Sequence, residues 1–148
     1  MTGNDILIST DKALLNTEVI YNFLNSSYWA QGRTLQVIKK SIRNSLCFGV
    51  FLDGQQIGFA RVISDYATFA YLADVFILEE YRGNGFSKKL LKYILSHPDL
   101  QNMKRWMLAT RDAHNLYRKF GFTQLKNPER FMEIVADTLK MPDRTNMA

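Results

Sequence analysis

Arg82-Gly83-Asn84-Gly85-Phe86-Ser87 places a guanidinium, two glycines and a small hydroxyl residue where an apolar run ends and a helical pattern begins. A helix start leaves about four backbone N–H groups without intrahelical partners and carries roughly half a positive charge. Glycines let an anion reach that bare backbone, and the Arg82 guanidinium adds donors that match phosphate oxygens. Lys88 and Lys89 follow in the first turn, where the helix dipole disfavours cations, so an anion or solvent screening must balance them. The stretch therefore reads as a cradle for a phosphorylated ligand, with a ligand-free strand-to-helix turn as the plain alternative. Its spacing is neither that of a Walker loop, which needs Gly-Lys-Ser/Thr, nor that of a dinucleotide fingerprint with its third glycine.

Asp74 is the one charge inside the apolar run from Phe69 to Leu78, so it is either a reactive carboxylate or half of a structural ion pair. Tyr28, Trp29 and Arg33 stand in a loop of turn formers. Aromatic faces there suit a cationic amine and a guanidinium suits a carboxylate, or else Trp29 folds back over the core. Arg61, on a strand, either serves the same end or faces solvent. Cys47 reads as a small core residue, His97 as a helix end and His114 as a solvated side chain. No metal-ligand spacing occurs, and no metal is expected.

These residues need elements to hold them. Ile6 to Ser9 suggests a short edge strand, followed by a helix capped by Thr10 or Asp11 with Leu15, Val19, Ile20, Phe23 and Leu24 inward. Thr34 is placed to cap a second helix ending near Arg43, with Leu35, Ile38 and Ile42 inward. From Leu46 the apolar period becomes two, and Asp53-Gly54 between Leu46–Leu52 and Gln56–Ile63 predicts a hairpin. Phe69 to Leu78 is apolar on both faces and is expected to be a central strand. A helix from Phe86 to Leu95, a strand from Arg105 to Ala109, and a helix capped by Thr110 or Asp112 and closed by Gly121 follow. Phe122–Leu125 and Phe131–Ala136 read as final strands.

The 148 residues are 47% hydrophobic and 22% charged, which fits one globular domain over residues 1–136 and a polar tail over 137–148. There is no leader-like apolar run, no stretch of about eighteen apolar residues and a single cysteine, so a cytoplasmic location without a membrane partner is expected. A net charge of +5 and a pI near 9.4 call for an anionic partner. The basic residues are scattered in short clusters, which argues against nucleic acid and for a phosphorylated small molecule.

Arg82 to Ser87 resembles the Arg/Gln-x-x-Gly-x-Gly/Ala signature of the GNAT superfamily of acetyl-CoA-dependent N-acetyltransferases, with Ser87 in place of the last small residue. Ala113-His114-Asn115-Leu116-Tyr117-Arg118-Lys119-Phe120-Gly121-Phe122 resembles that family's Ala-x-x-Leu-Tyr-x-x-x-Gly-Phe segment, and the order of elements agrees. The resemblance implies an α/β (α+β) fold with a mixed, largely antiparallel central sheet and helices on both faces.

It also implies acetyl-CoA as acyl donor. The Arg82, Gly83, Asn84, Gly85, Phe86, Ser87 and Lys88 segment would hold the pyrophosphate, and backbone groups of Val75, Phe76, Ile77 and Leu78 on a splayed strand would hold the thioester and pantetheine. Thr110 stands where the family often has an asparagine contact. By the same resemblance Tyr117 is the expected general acid, Asp74 a candidate base, and Tyr28, Trp29 and Arg33 border the acceptor side. The expected reaction is direct acetyl transfer to a primary amine; the rival is an acyl-CoA sensor without turnover. A homodimer through the late strands is a further expectation of the resemblance.

Overall fold

The computed structural model describes residues 5–136. Strands β1 (Leu7–Ser9), β2 (Leu46–Leu52), β3 (Gln55–Ser64), β4 (Phe69–Ile77) and β5 (Arg105–Met107) lie side by side in chain order. The first four are antiparallel, and β5 joins β4 in parallel. Asp53 and Gly54 both take positive φ, as the two-residue hairpin between β2 and β3 requires.

Helices α1 (Thr17–Ser26) and α2 (Leu35–Arg43) cover one face. Ile20, Leu24 and Ile38 pack there with Cys47, Phe59 and Phe76. Helix α3 (Phe86–Leu95) covers the other face, its Phe86, Leu90, Leu91 and Ile94 meeting Phe48, Val50, Ile57, Val62 and Leu72, and Tyr117 of α4 (His114–Arg118) joins that cluster. The mixed α/β architecture with helices on both faces is thus as the sequence implied.

Several boundaries differ from expectation. Asp11 caps a single tight turn, Lys12–Leu14, and Asn16 caps α1, its Oδ1 accepting from the Glu18 and Val19 N–H groups at 3.1 and 3.2 Å. Thr34 caps α2 as predicted, its hydroxyl accepting from the Val37 N–H, but Leu35 at the first position is 41% exposed. Beyond Gly121 no strand forms among the described residues: Phe122–Leu125 and Phe131–Ala136 are irregular. Strand β5 has only three residues to template a ladder, and Pro128, which lacks an N–H, opens a tight turn between the two segments. Side chains hold this stretch instead, with Phe122 edge-on to Trp106 and Tyr117, and Arg105 4.9 Å above the Phe131 ring. Strand β4 is accordingly interior but next to last. The expected polar tail, 137–148, lies outside the described residues.

Two bulges shape the sheet. Ile57 is the extra residue of β3 between the pairs Val50↔Gly58 and Phe51↔Gln56, and the Gln56 side chain spans the kink, Nε2 donating to the Gly58 carbonyl while Oε1 accepts from the Asn16 N–H. In β4, Asp74 and Val75 together oppose Ala60, between Phe59↔Phe76 and Arg61↔Ala73, and Asp74 takes φ +55°. A bulge shifts the two-residue alternation. Ala70 and Leu72 face α3 before it, whereas Val75 and Ile77 do so after it and Phe76 turns to α1.

Candidate active site

The β4–β5 pairing ends at Tyr71↔Met107, and β4 runs on to Ile77 with no partner on that side. Backbone groups alternate along an antiparallel strand. The Leu78 N–H donates to the Ile57 carbonyl at 2.8 Å, so Leu78 and, two residues back, Phe76 direct their N–H groups towards β3. Val75 and Ile77 direct theirs to the open edge. The Ile77 carbonyl agrees, since it points away from β3 and accepts from Arg82 Nε at 2.9 Å. Of the four residues expected to offer main-chain contacts, Leu78 therefore has its N–H committed to the sheet, and the open edge belongs to Val75 and Ile77.

That edge leads to the start of α3. Gly85 is its N-cap, at φ +77°, and supplies no side-chain cap; Lys89 makes the first helical bond back to the Gly85 carbonyl. The N–H groups of Phe86, Ser87 and Lys88 precede that bond and stand at the bare helix end. A Cβ built on Gly83 or Gly85 would meet nothing within 4 Å, so the loop is open above both. Asn84 closes it from within, Nδ2 donating to the Tyr81 carbonyl at 3.1 Å, and the Phe86 side chain is buried in the core. Asn84 and the Phe86 ring thus shape the loop, leaving the Phe86 N–H as that residue's available group.

The cleft has two overlapping halves. One, of about 700 Å³, runs from Ile77 and Leu78 past Glu79, Glu80, Arg82 and Ser87; the other, of about 490 Å³, is lined by Arg33, Arg61, Tyr71, Asp74 and Thr110 among others. Tyr28, Trp29, Val75, Arg111, Asp112 and Tyr117 belong to both and mark the junction. Burial pushes the Tyr117 hydroxyl up to about 12, with smaller contributions from Tyr28 and Asp112. Thr110 Oγ1 accepts from the Ala113 N–H at 3.1 Å and so turns the chain into α4.

The loop between α1 and α2 is fixed by Asp74. Trp29 Nε1 donates to Asp74 Oδ1, and Arg33 Nη1 and Arg61 Nε both donate to Oδ2, each at 2.9 Å. Arg61 also reaches Ser45 Oγ at 3.1 Å. The β4 bulge makes this possible, because it turns the Asp74 side chain towards α1 and α2 although Leu72, two residues earlier, faces α3. Trp29 also lies 5.2 Å from Tyr28 and 6.1 Å from Phe23, whose ring stacks on Phe76. Trp29 thus packs against the α1 face of the core and also lines the cleft.

Sequence reasoning undervalued Arg61 and overlooked Arg111. Arg61 is only 9% exposed; it shares its face of β3 with the apolar Phe59 two residues earlier, and that was the available signal. Arg111 sets its guanidinium 3.8 Å over the Tyr28 ring, and its N–H donates to the Tyr28 hydroxyl at 3.0 Å, joining loops 83 residues apart. No local pattern announces such a contact. His114 lies outside both halves of the cleft, and no cluster of metal-binding side chains occurs among the described residues. No helix among them is long and apolar enough to cross a membrane.

A splayed sheet edge running into an uncapped glycine-rich helix start offers main-chain donors to an extended polar ligand and an anion site at its end. The sequence profile of the Acetyltransferase (GNAT) family matches residues 15–122, and the chain belongs to that family. A crystal structure from Xanthomonas campestris pv. campestris, described as an acetyltransferase of the GNAT family on provisional grounds, is 49% identical with a TM-score of 0.87, covering 88% of this chain and 93% of that one. A Gibberella zeae protein provisionally named as an acetyltransferase is 33% identical over 141 residues, 80% of this chain and 78% of its own. A GNAT family acetyltransferase of Elizabethkingia anophelis, solved with acetyl-CoA bound, shares the fold at 15% identity and a TM-score of 0.63, covering 88% and 87% of the two chains.

Proposed function

We propose that the protein transfers the acetyl group of acetyl-CoA directly to a primary amine, with Tyr117 as general acid. The observation that carries this reading is the open edge of β4 beyond Tyr71, which leads from the Tyr117 hydroxyl to the bare N-terminus of α3. The donor fits the residues present: the Val75 and Ile77 main-chain groups suit the amides of pantetheine, and Arg82, Gly83, Gly85 and the N–H groups of Phe86, Ser87 and Lys88 suit a pyrophosphate. That the E. anophelis relative carries acetyl-CoA supports the same choice.

Acetyl-CoA, when bound, supplies an acetyl carbon activated by a thioester. In the net reaction the amine nitrogen bonds that carbon, the C–S bond breaks, and the proton lost by nitrogen is matched by one gained by sulfur. Tyr117 keeps its proton throughout the neutral range, since its hydroxyl is pushed up to about 12, and so has one to give to a leaving thiolate. Asp74, first considered as a base, is better suited to positioning. Three donors surround its carboxylate, and a proton there would leave two guanidiniums without a counter-charge. The amine's proton then passes to solvent or to Asp112, which lines the junction.

Titration of the protein with acetyl-CoA in a calorimeter, followed by a screen of amines for CoA release, tests the proposal. Saturable binding near one to one with amine-dependent CoA release is expected. Binding without release for any amine would favour the acyl-CoA sensor, and absence of binding would refute both.

A further inference from the structure

We infer that the acceptor amine carries an anionic group, a carboxylate or a phosphate, that docks on Arg33 and Arg111 while its nitrogen points to the Tyr117 junction. The inference rests on the acetyl-transfer reading and adds the chemical class of the acceptor. Its basis is a charge surplus built into the acceptor half of the cleft. The buried carboxylate of Asp74 faces two guanidiniums, Arg33 and Arg61, and these are the only ion pairs among the described residues. One carboxylate against two guanidiniums leaves one positive charge in excess in a place largely withdrawn from water.

The two arginines are not equivalent. Arg61 has an 11% exposed side chain and spends Nε on Asp74 and Nη1 on Ser45. Arg33 has a 28% exposed side chain and spends one nitrogen, Nη1, on Asp74. A guanidinium offers five N–H donors, so Arg33 presents donors to the cavity from a head held in place by the Asp74 bond. Arg111 brings a second guanidinium to the mouth, held over the Tyr28 ring. Asp112 is the one other carboxylate on this lining, and no described cation pairs with it.

An acceptor whose only charge is positive would add to the surplus, whereas an amine with a carboxylate or phosphate cancels it. The same field favours the neutral amine over its ammonium form, and the neutral amine is the nucleophile. A space of about 490 Å³ walled by Tyr28, Trp29 and Tyr71 suits a small molecule.

The test uses matched probes that differ only in the anion: 3-aminopropanoate against 3-aminopropanamide, and 2-aminoethyl phosphate against ethanolamine, with spermidine as a purely cationic amine. Each is titrated calorimetrically into the protein with and without CoA and then assayed for CoA release from acetyl-CoA. The anion-bearing member of at least one pair should bind about tenfold or more tightly than the partner that lacks the anion, the scale of a charge-assisted hydrogen bond. Which pair shows it tells carboxylate from phosphate. Arg33→Gln should erase most of that preference, Arg33→Lys should keep part of it, and Arg111→Gln gives a second reading should Arg33→Gln misfold. Equal binding within both pairs, tightest binding of spermidine, or no binding of any probe overturns the inference. Anion-dependent binding without any CoA release would leave the docking site standing and remove the transferase reading.

Discussion

Replacing Asp74 by Asn separates the positioning role from catalysis. Asn tolerates the positive φ of this position nearly as well as Asp, so the backbone contribution is unchanged. What is lost is the negative charge between Arg33 and Arg61. Removing one partner of a fully buried ion pair costs about 3–5 kcal/mol. Here the Asn carbonyl still accepts a hydrogen bond and Arg33 reaches water, whereas Arg61 does so far less, with side-chain exposures of 28% and 11%. About 2–3 kcal/mol is therefore expected, and for a domain near this size each kcal/mol lowers Tm by about 2–4 °C, giving a fall of roughly 4–12 °C. The assay pairs thermal unfolding of both proteins with the pH profile of kcat/KM for the best amine. A positioning residue predicts lower stability, weaker acceptor binding and an unchanged acidic limb. A Tm within about 1 °C of the parent, with kcat down about 10²-fold or more and the acidic limb abolished, would show that Asp74 takes the proton and that the network reading is wrong.

Tyr117→Phe should lower kcat by about 10²-fold while leaving the calorimetric affinity for acetyl-CoA within about twofold, and a loss confined to affinity would remove the acid role. Because the Tyr117 hydroxyl is pushed up to about 12, the alkaline limb of the wild-type profile should not mark its ionisation below pH 11. Gly85→Ala adds a Cβ at φ +77° where the loop is open, so it should cost about 1 kcal/mol of stability and at least tenfold in acetyl-CoA affinity; full affinity would place the phosphates elsewhere. Cys47 is raised by burial from near 9 to about 11, and Tyr117 from near 10 to about 12. Both neutral forms are favoured by the fold, so their stabilisation is complete below pH 9 and lost as pH climbs through 11 and then 12. Urea unfolding at pH 8 and 10.5 should show the first part of that decline, and Cys47→Ala should flatten it.

Much of the scaffold was legible because local signals agree with the tertiary result. The Asp53-Gly54 hairpin, the Thr34 cap and the glycine junction before α3 each rest on backbone chemistry that a few residues determine alone. The final strands were not legible, since a largely apolar run at Phe131–Ala136 carries no information on whether a partner edge is long enough to receive it. Asp74 could be singled out as a charge in an apolar strand. Its three partners could not, because they come from positions 29, 33 and 61 and meet it only after a bulge turns it round. The Tyr28–Arg111 contact is the extreme case, being set wholly by how two loops meet.

The bulge at Asp74 gives the sheet something like a reading frame. Residues before it are read in one phase and residues after it in the other, and β3 carries its own shift at Ile57. Deleting Asp74 would restore a regular ladder and leave Val75 and Ile77 towards α3 and Phe76 towards α1, whereas straightening the bulge at constant length would send Phe76 towards α3 and Val75 and Ile77 towards α1. What the extra residue adds is thus the Asp74 carboxylate itself, turned to Trp29, Arg33 and Arg61, and not the phase of the residues that follow it. The frame also narrows the residue at its shift point. Asn would suit the left-handed backbone but lacks the charge, Glu would supply the charge from a less suitable backbone, and Asp alone meets both demands.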